Sequence, residues 1–372
     1  MKTIAHPWVS NLTMYEPGKP METVARELGF ESIDDIIKLA SNENVLGPSP
    51  KAVRAMKQAA TQMHLYPDSG AHLLRQKLAA KLGVSTDQLL ITNGSNEVIE
   101  FMGHIFLGPG TEMVMADRGF AIYHLVAAMF QAKTVFVPMR NYTHDLDAML
   151  KAITPKTKIV FIANPNNPTG TMVSPAALDD FMARVPSHVV VGLDEAYIEL
   201  LTPDRRPDSI GYVKQGKQVI ILRTFSKTYG LAGLRIGYAV TSGDGVALMH
   251  RVRQPFNVTA ISQIAATAAL DDDAFVRKTQ KLVRDGVRFF EEHLPQLGLP
   301  YVPAVTNFML VETGNARTVF QALQKEKIIV RPMDGYGLPN HIRVTVGTRE
   351  QNVMCLVALA KVLGRPWTAP AA

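Results

Sequence analysis

Lys227 lies in the segment TFSKTYGLAGLRIGY (residues 224–238), which begins where the apolar run QVIILRT ends and has Arg235 eight residues further on. A lysine in a partly desolvated site near another cation has a lowered pKa, and its neutral amine forms Schiff bases with carbonyl compounds. The alternative is an ordinary solvated surface lysine. The buried-looking run before Lys227 and its neighbours Phe225 and Tyr229 favour the Schiff-base interpretation.

Asp194 directly follows the apolar run HVVVGL, so its carboxylate is expected to be poorly hydrated and to need a charged partner. It could act as a metal ligand, as a catalytic acid or base, or as the counter-ion of a protonated ring nitrogen. A helix N-cap is the structural alternative. The neighbouring loops supply amides, a tyrosine and a lysine rather than further carboxylates or histidines, so no metal site is predicted.

The segment TNGSNE (residues 92–97) follows an apolar run and opens a helical pattern. Its backbone amides and Ser95 could therefore hold a phosphate at a helix N-terminus, although the same pattern also occurs in ordinary turns. Ser226 and Arg235 could add a hydroxyl and a fork of N–H donors to that phosphate. Neither GxxxxGK[ST] nor GxGxxG occurs after a candidate strand, which disfavours nucleotide-binding folds.

One cofactor accounts for these three features together. Pyridoxal phosphate carries an aldehyde, a pyridine nitrogen that can hold a proton, and a phosphate. Lys227 would then form the Schiff base, Asp194 would pair with the ring nitrogen, and Ser226 and Arg235 would bind the phosphate. We therefore predict pyridoxal 5'-phosphate as the cofactor.

The elements that must position these residues are short apolar runs separated by helical patterns. Candidate strands are QLLIT (88–92), EMVMA (112–116), TVFVPM (134–139), KIVFIA (158–163), HVVVGL (188–193), QVIILRT (218–224) and IGYAVT (236–241). Several are continuously apolar, as strands covered on both faces are. The alternation predicts an α/β fold with a mostly parallel sheet. The short connection into IGYAVT predicts a last strand that is antiparallel and lies at an edge.

Polar loops follow four of these runs, and open sheets of this class bind ligands beyond the carboxyl ends of their strands. The loops begin NGSNE, NPNNPTG, DEAY and FSKTYG. Their convergence, more than any single residue, predicts one site. The residues expected to meet there are Ser95, Asn96, Asn167, Asp194, Tyr197, Ser226 and Lys227.

The 372 residues exceed one ordinary hydrophobic core, so two domains are expected. The single cysteine, Cys355, allows no intrachain disulfide. No apolar run approaches the roughly 20 residues that span a bilayer, and the start MKTIAHPWVSNL lacks the apolar core of a signal peptide. These features predict a cytoplasmic protein that does not contact a membrane.

The formal net charge is +6, but the lysines and arginines are scattered along the chain. Nucleic-acid binding usually requires a basic run or stripe, so we expect no nucleic-acid partner. A mildly basic enzyme with a small anionic substrate and cofactor fits the same charge.

The segments NPNNPTG, DEAYIEL and TFSKTYGLAGLRIGY, in this order and spacing, resemble the fold-type I pyridoxal-phosphate aminotransferases over nearly the whole chain. KLASNENVLGPSP, YPDSG and IRVTVGTREQN resemble the histidinol-phosphate aminotransferase subfamily. The resemblance implies a three-layer, mostly parallel seven-stranded sheet domain over residues 40–265. A smaller α+β domain would combine the N-terminal arm, residues 1–39, with residues 266–372.

The same resemblance implies individual roles. Lys227 would be the Schiff-base lysine and proton shuttle, Asp194 the partner of the ring nitrogen, and Asn167 and Tyr197 the hydrogen-bond partners of the phenolic oxygen. Other implied positions are Ser95, Asn96, Ser226 and Arg235 at the phosphate, Phe120 on the ring face, Tyr66 from the second subunit of a homodimer with shared sites, and Tyr15, Arg331 and Arg343 at the substrate. Two positions depart from the family pattern, Asn96 in place of an acidic residue and the segment DRGFAIY around Phe120.

The implied reaction is transfer of an amino group between L-histidinol phosphate and 2-oxoglutarate, in histidine biosynthesis. An aromatic amino-acid aminotransferase is the nearest alternative, because an arginine pair can accept a carboxylate in place of a phosphate. A phosphothreonine decarboxylase shares much of the motif set. A regulator with an aminotransferase-like sensor domain would need an added DNA-binding segment, which we do not expect because the family pattern begins almost at Met1.

Overall fold

A computed structural model describes residues 1, 4–14, 18 and 20–370 of the chain. The strands are β1 Ile37–Lys38, β2 Leu89–Thr92, β3 Glu112–Ala116, β4 Lys133–Val137, β5 Thr157–Ala163, β6 Val190–Asp194, β7 Val219–Thr224, β8 Gly237–Val240, β9 Tyr301–Val302, β10 Phe308–Glu312, β11 Ile328–Ile329, β12 Arg331–Met333 and β13 Leu338–Thr345.

The helices alternate with these strands through most of the chain. They are α1 Met21–Leu28, α2 Pro50–Ala59, α3 His72–Leu82, α4 Ser95–Phe106, α5 Ile122–Met129, α6 Leu146–Lys151, α7 Pro175–Arg184, α8 Ser209–Lys214, α9 Gly243–Val252, α10 Ala260–Ala269, α11 Asp273–His293, α12 Ala316–Lys325 and α13 Arg349–Leu363. Within the described parts of the chain, no helix is both long enough and apolar enough to cross a membrane.

Several helices begin at local signals that the sequence carries. Ser49 and Ser174 cap α2 and α7 with their side-chain oxygens, and each is followed by a proline in the first helical position. Thr348 and Gln351 form a reciprocal capping box at the start of α13. Each cap satisfies backbone N–H groups that the first turn leaves without a partner, and such a cap contributes about 1 kcal/mol.

The large sheet contains seven strands among the described residues, in the order β2-β8-β7-β6-β5-β3-β4. The pairs β3–β4, β3–β5, β5–β6 and β6–β7 are parallel. Strand β8 runs antiparallel to both of its neighbours, β7 and β2. The predicted α/β class with a mostly parallel seven-stranded sheet is confirmed.

Strand β8 departs from the expectation in one respect. It is antiparallel, as predicted, but it does not lie at the edge. Strand β2 pairs along its outer side, with Leu89 opposite Val240 and Thr92 opposite Gly237. All four residues of β2 are buried, so this strand covers the otherwise open edge of β8. The local connection from β7 gave the direction of β8, whereas its position depends on pairing with a strand almost 150 residues earlier in the chain.

Apolar cores cover both faces of the large sheet, which explains the continuously apolar strands. In β5, Val160 and Ile162 belong to one core cluster, and Ile159 and Phe161 belong to the other. Alternate side chains of a strand point to opposite faces, so a strand buried on both sides must be apolar throughout. The polar residues at the carboxyl end of such a strand are therefore the first whose side chains can reach a cavity.

A second sheet of four antiparallel strands, β12-β13-β10-β9, forms with α11, α12 and α13 a separate apolar cluster from the later part of the chain. Leu39 belongs to the same cluster, and β1 pairs in parallel with β11. This apolar cluster therefore combines Leu39, from the early part of the chain, with residues from the later part. The domain boundary that the sequence analysis placed between residues 265 and 266 stays a prediction.

Candidate active site

A cavity of about 290 Å³ opens at the carboxyl ends of β5, β6 and β7. Eleven of the predicted site residues line it: Ser95, Asn96, Phe120, Asn167, Asp194, Tyr197, Ser226, Lys227, Arg235, Arg331 and Arg343. Arg331 and Arg343 enter from strands β12 and β13 of the second sheet. The cavity therefore lies between the two sheets, and the strand ends of the large sheet form one side of it.

Among the predicted residues that the structure describes, Tyr66 does not line this cavity. Tyr66 is 84% exposed and stacks on Phe256 with ring centroids 4.8 Å apart. Tyr15 lies outside the residues that the structure describes. An exposed Tyr66 is compatible with a role in the site of a second subunit, which remains a prediction.

Lys227 follows β7 and reaches into the cavity. Its Nζ donates a hydrogen bond to the Ser41 carbonyl at 3.3 Å and lies 5.7 Å from the centroid of the Tyr197 ring. Burial lowers the pKa of Lys227 to about 8, and the positive charge of Arg343 acts in the same direction. A substantial fraction of its amine is therefore neutral near pH 8, which is the form that attacks a carbonyl carbon.

Asp194 is the last residue of β6 and is 6% exposed. The hydroxyl of Tyr123 donates to its Oδ2 at 2.7 Å, and the backbone N–H of Ala196 donates to its Oδ1 at 3.1 Å. Burial raises the pKa of Asp194, while the Tyr123 hydrogen bond opposes that shift. A carboxylate in this position gains most from a cationic partner in the cavity.

One end of the cavity is rich in hydrogen-bond donors. Helix α4 begins at Ser95 without a side-chain cap, after Gly94 with φ of 73°. A Cβ on Gly94 would lie 2.6 Å from Arg235 Nη2, and one on Gly237 would lie 2.7 Å from the Ser95 nitrogen. Both glycines thus let the helix N-terminus and Arg235 approach each other closely. Arg235 Nη1 also lies 3.5 Å from Ser226 Oγ, so this end suits a phosphate.

Arg343 connects the second sheet to the predicted ring-binding residues. Its Nη1 donates to Asn167 Oδ1, and its Nη2 donates to the Ala40 carbonyl at 2.9 Å. The guanidinium also lies over the Phe308 ring, 5.2 Å from the centroid. Although Arg343 is only 7% exposed, it lines the cavity, so it is in position to meet an anionic ligand.

Tyr197 keeps its proton over the whole physiological range. Burial is the largest cause and raises the pKa of Tyr197 to about 12, although the charge of Arg343 and a hydrogen bond from Asn42 act in the opposite direction. The hydroxyl is therefore a donor as well as an acceptor. Phe120, which the sequence placed on the ring face, lines the cavity and packs edge-on against Tyr123.

The sequence reasoning missed two parts of the wall. Tyr123, which bonds Asp194, stacks face to face on Phe161 at 4.3 Å. It occurs one helical turn after Phe120, and that spacing was the available signal. The segment of residues 40–43 also lines the cavity. It lies within KLASNENVLGPSP, which contributed only to the family resemblance.

These residues fit pyridoxal phosphate at each of its reactive groups. The uncapped start of α4 with Arg235 and Ser226 matches a phosphate, because two glycines there leave room that any Cβ would fill. Asp194 matches a protonated ring nitrogen, since it is buried and accepts hydrogen bonds from two neutral donors, Tyr123 and the Ala196 backbone. Lys227, with its lowered pKa, matches an aldehyde.

Comparison with known proteins leads to the same family. The model of the family described as aminotransferase class I and II matches residues 34–359. Histidinol-phosphate aminotransferases of Akkermansia muciniphila and Moorella thermoacetica are each 46% identical, over 98% and 95% of this chain and 99% and 92% of the relative. The crystal structure of histidinol-phosphate aminotransferase from Sinorhizobium meliloti in complex with pyridoxal-5'-phosphate has a TM-score of 0.89 and 27% identity, covering 97% of this chain and 98% of that chain. This chain belongs to the class I and II aminotransferase family.

Proposed function

We propose that this aminotransferase moves an amino group between L-histidinol phosphate and 2-oxoglutarate, with pyridoxal 5'-phosphate bound to Lys227. The observation that carries the proposal is the arrangement of the cavity. It combines a lysine of lowered pKa, a buried carboxylate and a donor-rich end on the large sheet with two arginines from the second sheet. The names of the two relatives at 46% identity support the choice of substrate.

When bound, the cofactor supplies a carbonyl that condenses with amines and a ring that withdraws electrons from the substrate carbon. The chain supplies everything else. Ser95, Ser226 and Arg235 would hold the phosphate, and Asp194 would hold a proton on the ring nitrogen through its buried charge. The edge-on pair of Phe120 and Tyr123 closes the cavity beside Asp194.

Lys227 is the residue that moves protons. A pKa of about 8 would let its amine both accept and donate a proton near neutral pH. Its position beside the Tyr197 ring keeps Nζ within the cavity. The lysine therefore serves as the base and acid of the proposed proton transfer.

Arg331 and Arg343 would bind the anionic end of the substrate. A phosphate carries nearly two negative charges and three acceptor oxygens, so it can engage both guanidinium groups. A carboxylate is satisfied by one bidentate arginine, which we assign to Arg343. This division of roles gives the phosphate substrate a contact that an amino acid lacks.

We propose a homodimer with shared sites, in which the exposed Tyr66 of one copy would reach the cavity of the other. Mixing an inactive Lys227→Ala protein with an inactive Tyr66→Ala protein should then restore activity, because some mixed dimers carry one site with both residues. The restored activity should approach a quarter of the parent value for random exchange with equal subunits. Full activity in a sedimentation-verified monomer would contradict the proposal.

The deciding experiment is a half-reaction screen on the loaded enzyme. The change in cofactor absorbance is followed in single turnovers with histidinol phosphate, phenylalanine, tyrosine and glutamate. We expect histidinol phosphate and glutamate to react fastest. Faster reaction with phenylalanine or tyrosine would favour the aromatic alternative, and release of carbon dioxide from phosphothreonine would favour the decarboxylase.

A matched variant tests the substrate contact itself. Arg331→Ala should lower kcat/KM for histidinol phosphate by about thirty-fold or more, because a charged hydrogen bond to a desolvated anion contributes roughly 2–5 kcal/mol. Aromatic amino acids should change only a few-fold, and Arg343→Ala should impair both classes. Equal losses for both classes in Arg331→Ala would mean that Arg331 has a structural role and does not select a phosphate.

A further inference from the structure

Asn42 forms a polar contact with Tyr197 on the cavity wall. Its Nδ2 lies 3.0 Å from the Tyr197 hydroxyl, and the two residues are 2% and 3% exposed. Asn42 has φ of 55°, in the left-handed region that asparagine adopts more readily than most residues. The backbone here is held in an uncommon conformation that directs this side chain to one hydroxyl.

A second set of hydrogen bonds holds Asn42 in place. Its backbone N–H donates to Thr345 Oγ1 at 3.0 Å, and the Thr345 hydroxyl lies 3.3 Å from Asn42 Oδ1. Asn307 Nδ2 donates to the Asn42 carbonyl at 3.0 Å. Thr345 and Asn307 are 1% and 5% exposed, so water does not compete for these groups.

These contacts determine which way the amide faces. The Thr345 hydroxyl already accepts from the Asn42 backbone, and its own proton needs an acceptor in this buried position. Asn42 Oδ1 is that acceptor, so Nδ2 must face Tyr197. An amide turned the other way would take this acceptor from the hydroxyl proton of Thr345 and would point two donors, Nδ2 and the Asn42 backbone N–H, at the same hydroxyl oxygen.

The orientation of Asn42 sets the polarity of the Tyr197 hydroxyl. Because Nδ2 is a donor, the tyrosine oxygen accepts from it, and the tyrosine proton is left to point elsewhere. The remaining direction is the cavity that Tyr197 lines. The wall therefore presents an O–H donor, and not a lone pair, to a ligand in the cavity.

We propose that Asn42 is a positioning residue that makes Tyr197 a hydrogen-bond donor toward the phenolic oxygen of the bound cofactor. The proposal rests on the proposed function for the identity of the cofactor. Donation to that oxygen would stabilise negative charge on it. Asn42 would thereby lower the pH at which the bound cofactor titrates, a pH that its visible absorbance reports.

Other charged or titratable groups act on Tyr197 from several elements. Lys227 faces its ring from the loop after β7, Arg343 acts from β13, Asp194 from the end of β6, and Tyr336 from the turn between β12 and β13. A charge introduced at position 42 would add to the electrostatic effect of these groups on Tyr197. The test must therefore separate a charge effect from a change in hydrogen-bond direction.

Asn42→Asp is the sharpest variant, because aspartate has nearly the same shape and also tolerates the left-handed region. Its carboxylate accepts the Tyr197 proton and turns it away from the cavity. The pH midpoint of the visible absorbance of the bound cofactor should rise by about one to two units, the shift expected for loss of a hydrogen bond to a charged group. Tyr197→Phe should raise the midpoint by a similar amount.

The double variant Asn42→Asp/Tyr197→Phe separates the two effects. If Asn42 acts through the tyrosine, the double variant should titrate within a few tenths of a unit of Tyr197→Phe alone. A full additional rise in that background would show a charge effect and would contradict the proposal. An unchanged midpoint in Asn42→Asp would also contradict it.

Asn42→Gly keeps the proposal testable if the aspartate variant does not fold. Glycine accepts the positive φ and removes the donor, so the tyrosine proton is no longer directed and a smaller rise is expected. A midpoint equal to that of the parent would contradict the proposal. All of these titrations are made without substrate, so a wrong substrate assignment leaves their result unchanged.

Discussion

Asp194 and Glu195 are adjacent in sequence, yet they belong to two different clusters of buried charge. Glu195 forms an ion pair with Arg223, at 2.7 Å from Nη2 and 2.8 Å from Nε, and the two side chains are 0% and 11% exposed. Asp194 faces the cavity and accepts from Tyr123 and from the Ala196 backbone N–H. Among the described residues, no ion pair within 4 Å joins Asp194 to Lys227.

We interpret this difference as one between a structural ion pair and charges that are available to a ligand. In the Glu195–Arg223 cluster the opposite charges neutralise each other directly. In the cavity Lys227 and Asp194 are close enough to influence each other's pKa, but their hydrogen bonds go to neutral groups. Burial of charge alone therefore does not identify a site. A buried charge that is aimed into open space without a direct ionic partner is the more specific indication.

The largest effect should come from Lys227→Ala. We expect turnover to fall by about 10⁴-fold or more, since both the covalent link and the proton-transferring amine are lost. Steady-state assays and borohydride reduction followed by mass spectrometry measure the two losses separately. Cofactor that remains reducibly attached to the variant would refute the assignment of Lys227.

The next effect compares the adjacent carboxylates directly. Asp194→Asn should lower turnover by about 10²–10³-fold, because a neutral amide stabilises a protonated ring nitrogen poorly. Glu195→Gln should leave turnover within a few-fold but lower the free energy of unfolding by about 3–5 kcal/mol, since Arg223 stays buried without its counter-ion.

Turnover of both loaded enzymes and chemical denaturation of both apoenzymes test this comparison. The expected pattern is loss of activity without loss of stability at Asp194, and the reverse at Glu195. If Glu195→Gln lost activity at unchanged stability, the division into a functional and a structural carboxylate would be wrong.

A smaller effect concerns the pH dependence of cofactor capture by the apoenzyme. Only the neutral amine of Lys227 attacks an aldehyde, so the capture rate should rise with pH and level off above about pH 8. Arg343→Gln removes a positive charge that contributes to the low pKa and should move the midpoint to higher pH. Stopped-flow absorbance measures both profiles, and identical profiles would show that Arg343 does not act on Lys227.

The smallest effect concerns Glu199, a carboxyl group close enough to the Glu195–Arg223 pair to feel both charges. Burial raises the pKa of Glu199 to about 7, so between its ordinary pKa of 4.5 and that value the folded chain holds a proton that the unfolded chain has lost. The stabilisation from this proton is complete below pH 4.5 and is lost as the pH rises through 7. Glu199→Gln should therefore raise the Tm relative to the parent at pH 8 and not at pH 4.5. An equal change at both pH values would contradict this.

The fold and the main site residues were accessible from sequence for one physical reason. Strands buried on both faces are continuously apolar, so each strand end is visible as the first polar residue after such a run. Asp194 is the first polar residue after its run, Lys227 lies in the polar segment that follows the next run, and both line the cavity. Arg331 and Arg343 do not follow it, and only family resemblance suggested them. The individual roles of all these residues stay predictions.

What the sequence did not reveal depends on contacts between distant segments. Tyr123 reaches Asp194 across 71 residues, and Asn42 reaches Tyr197 across 155 residues. The inward position of β8 likewise depends on pairing with the distant strand β2. The local sequence pattern indicates which face of a helix or strand is buried. It does not indicate which side chain of a distant element will contact that face.

The segment from Ile37 to Asn42 has a consequence for the construction of chimeric enzymes. Its Leu39 N–H donates to the Ile329 carbonyl, and the Thr345 N–H donates to the Leu39 carbonyl. This segment is therefore hydrogen-bonded to β11 and to the end of β13, although it precedes the large sheet in the chain. A chimera that takes its second sheet from a relative must also take residues 37–42 from that relative. A crossover between residues 39 and 40 would leave part of this segment hydrogen-bonded to strands of the other parent.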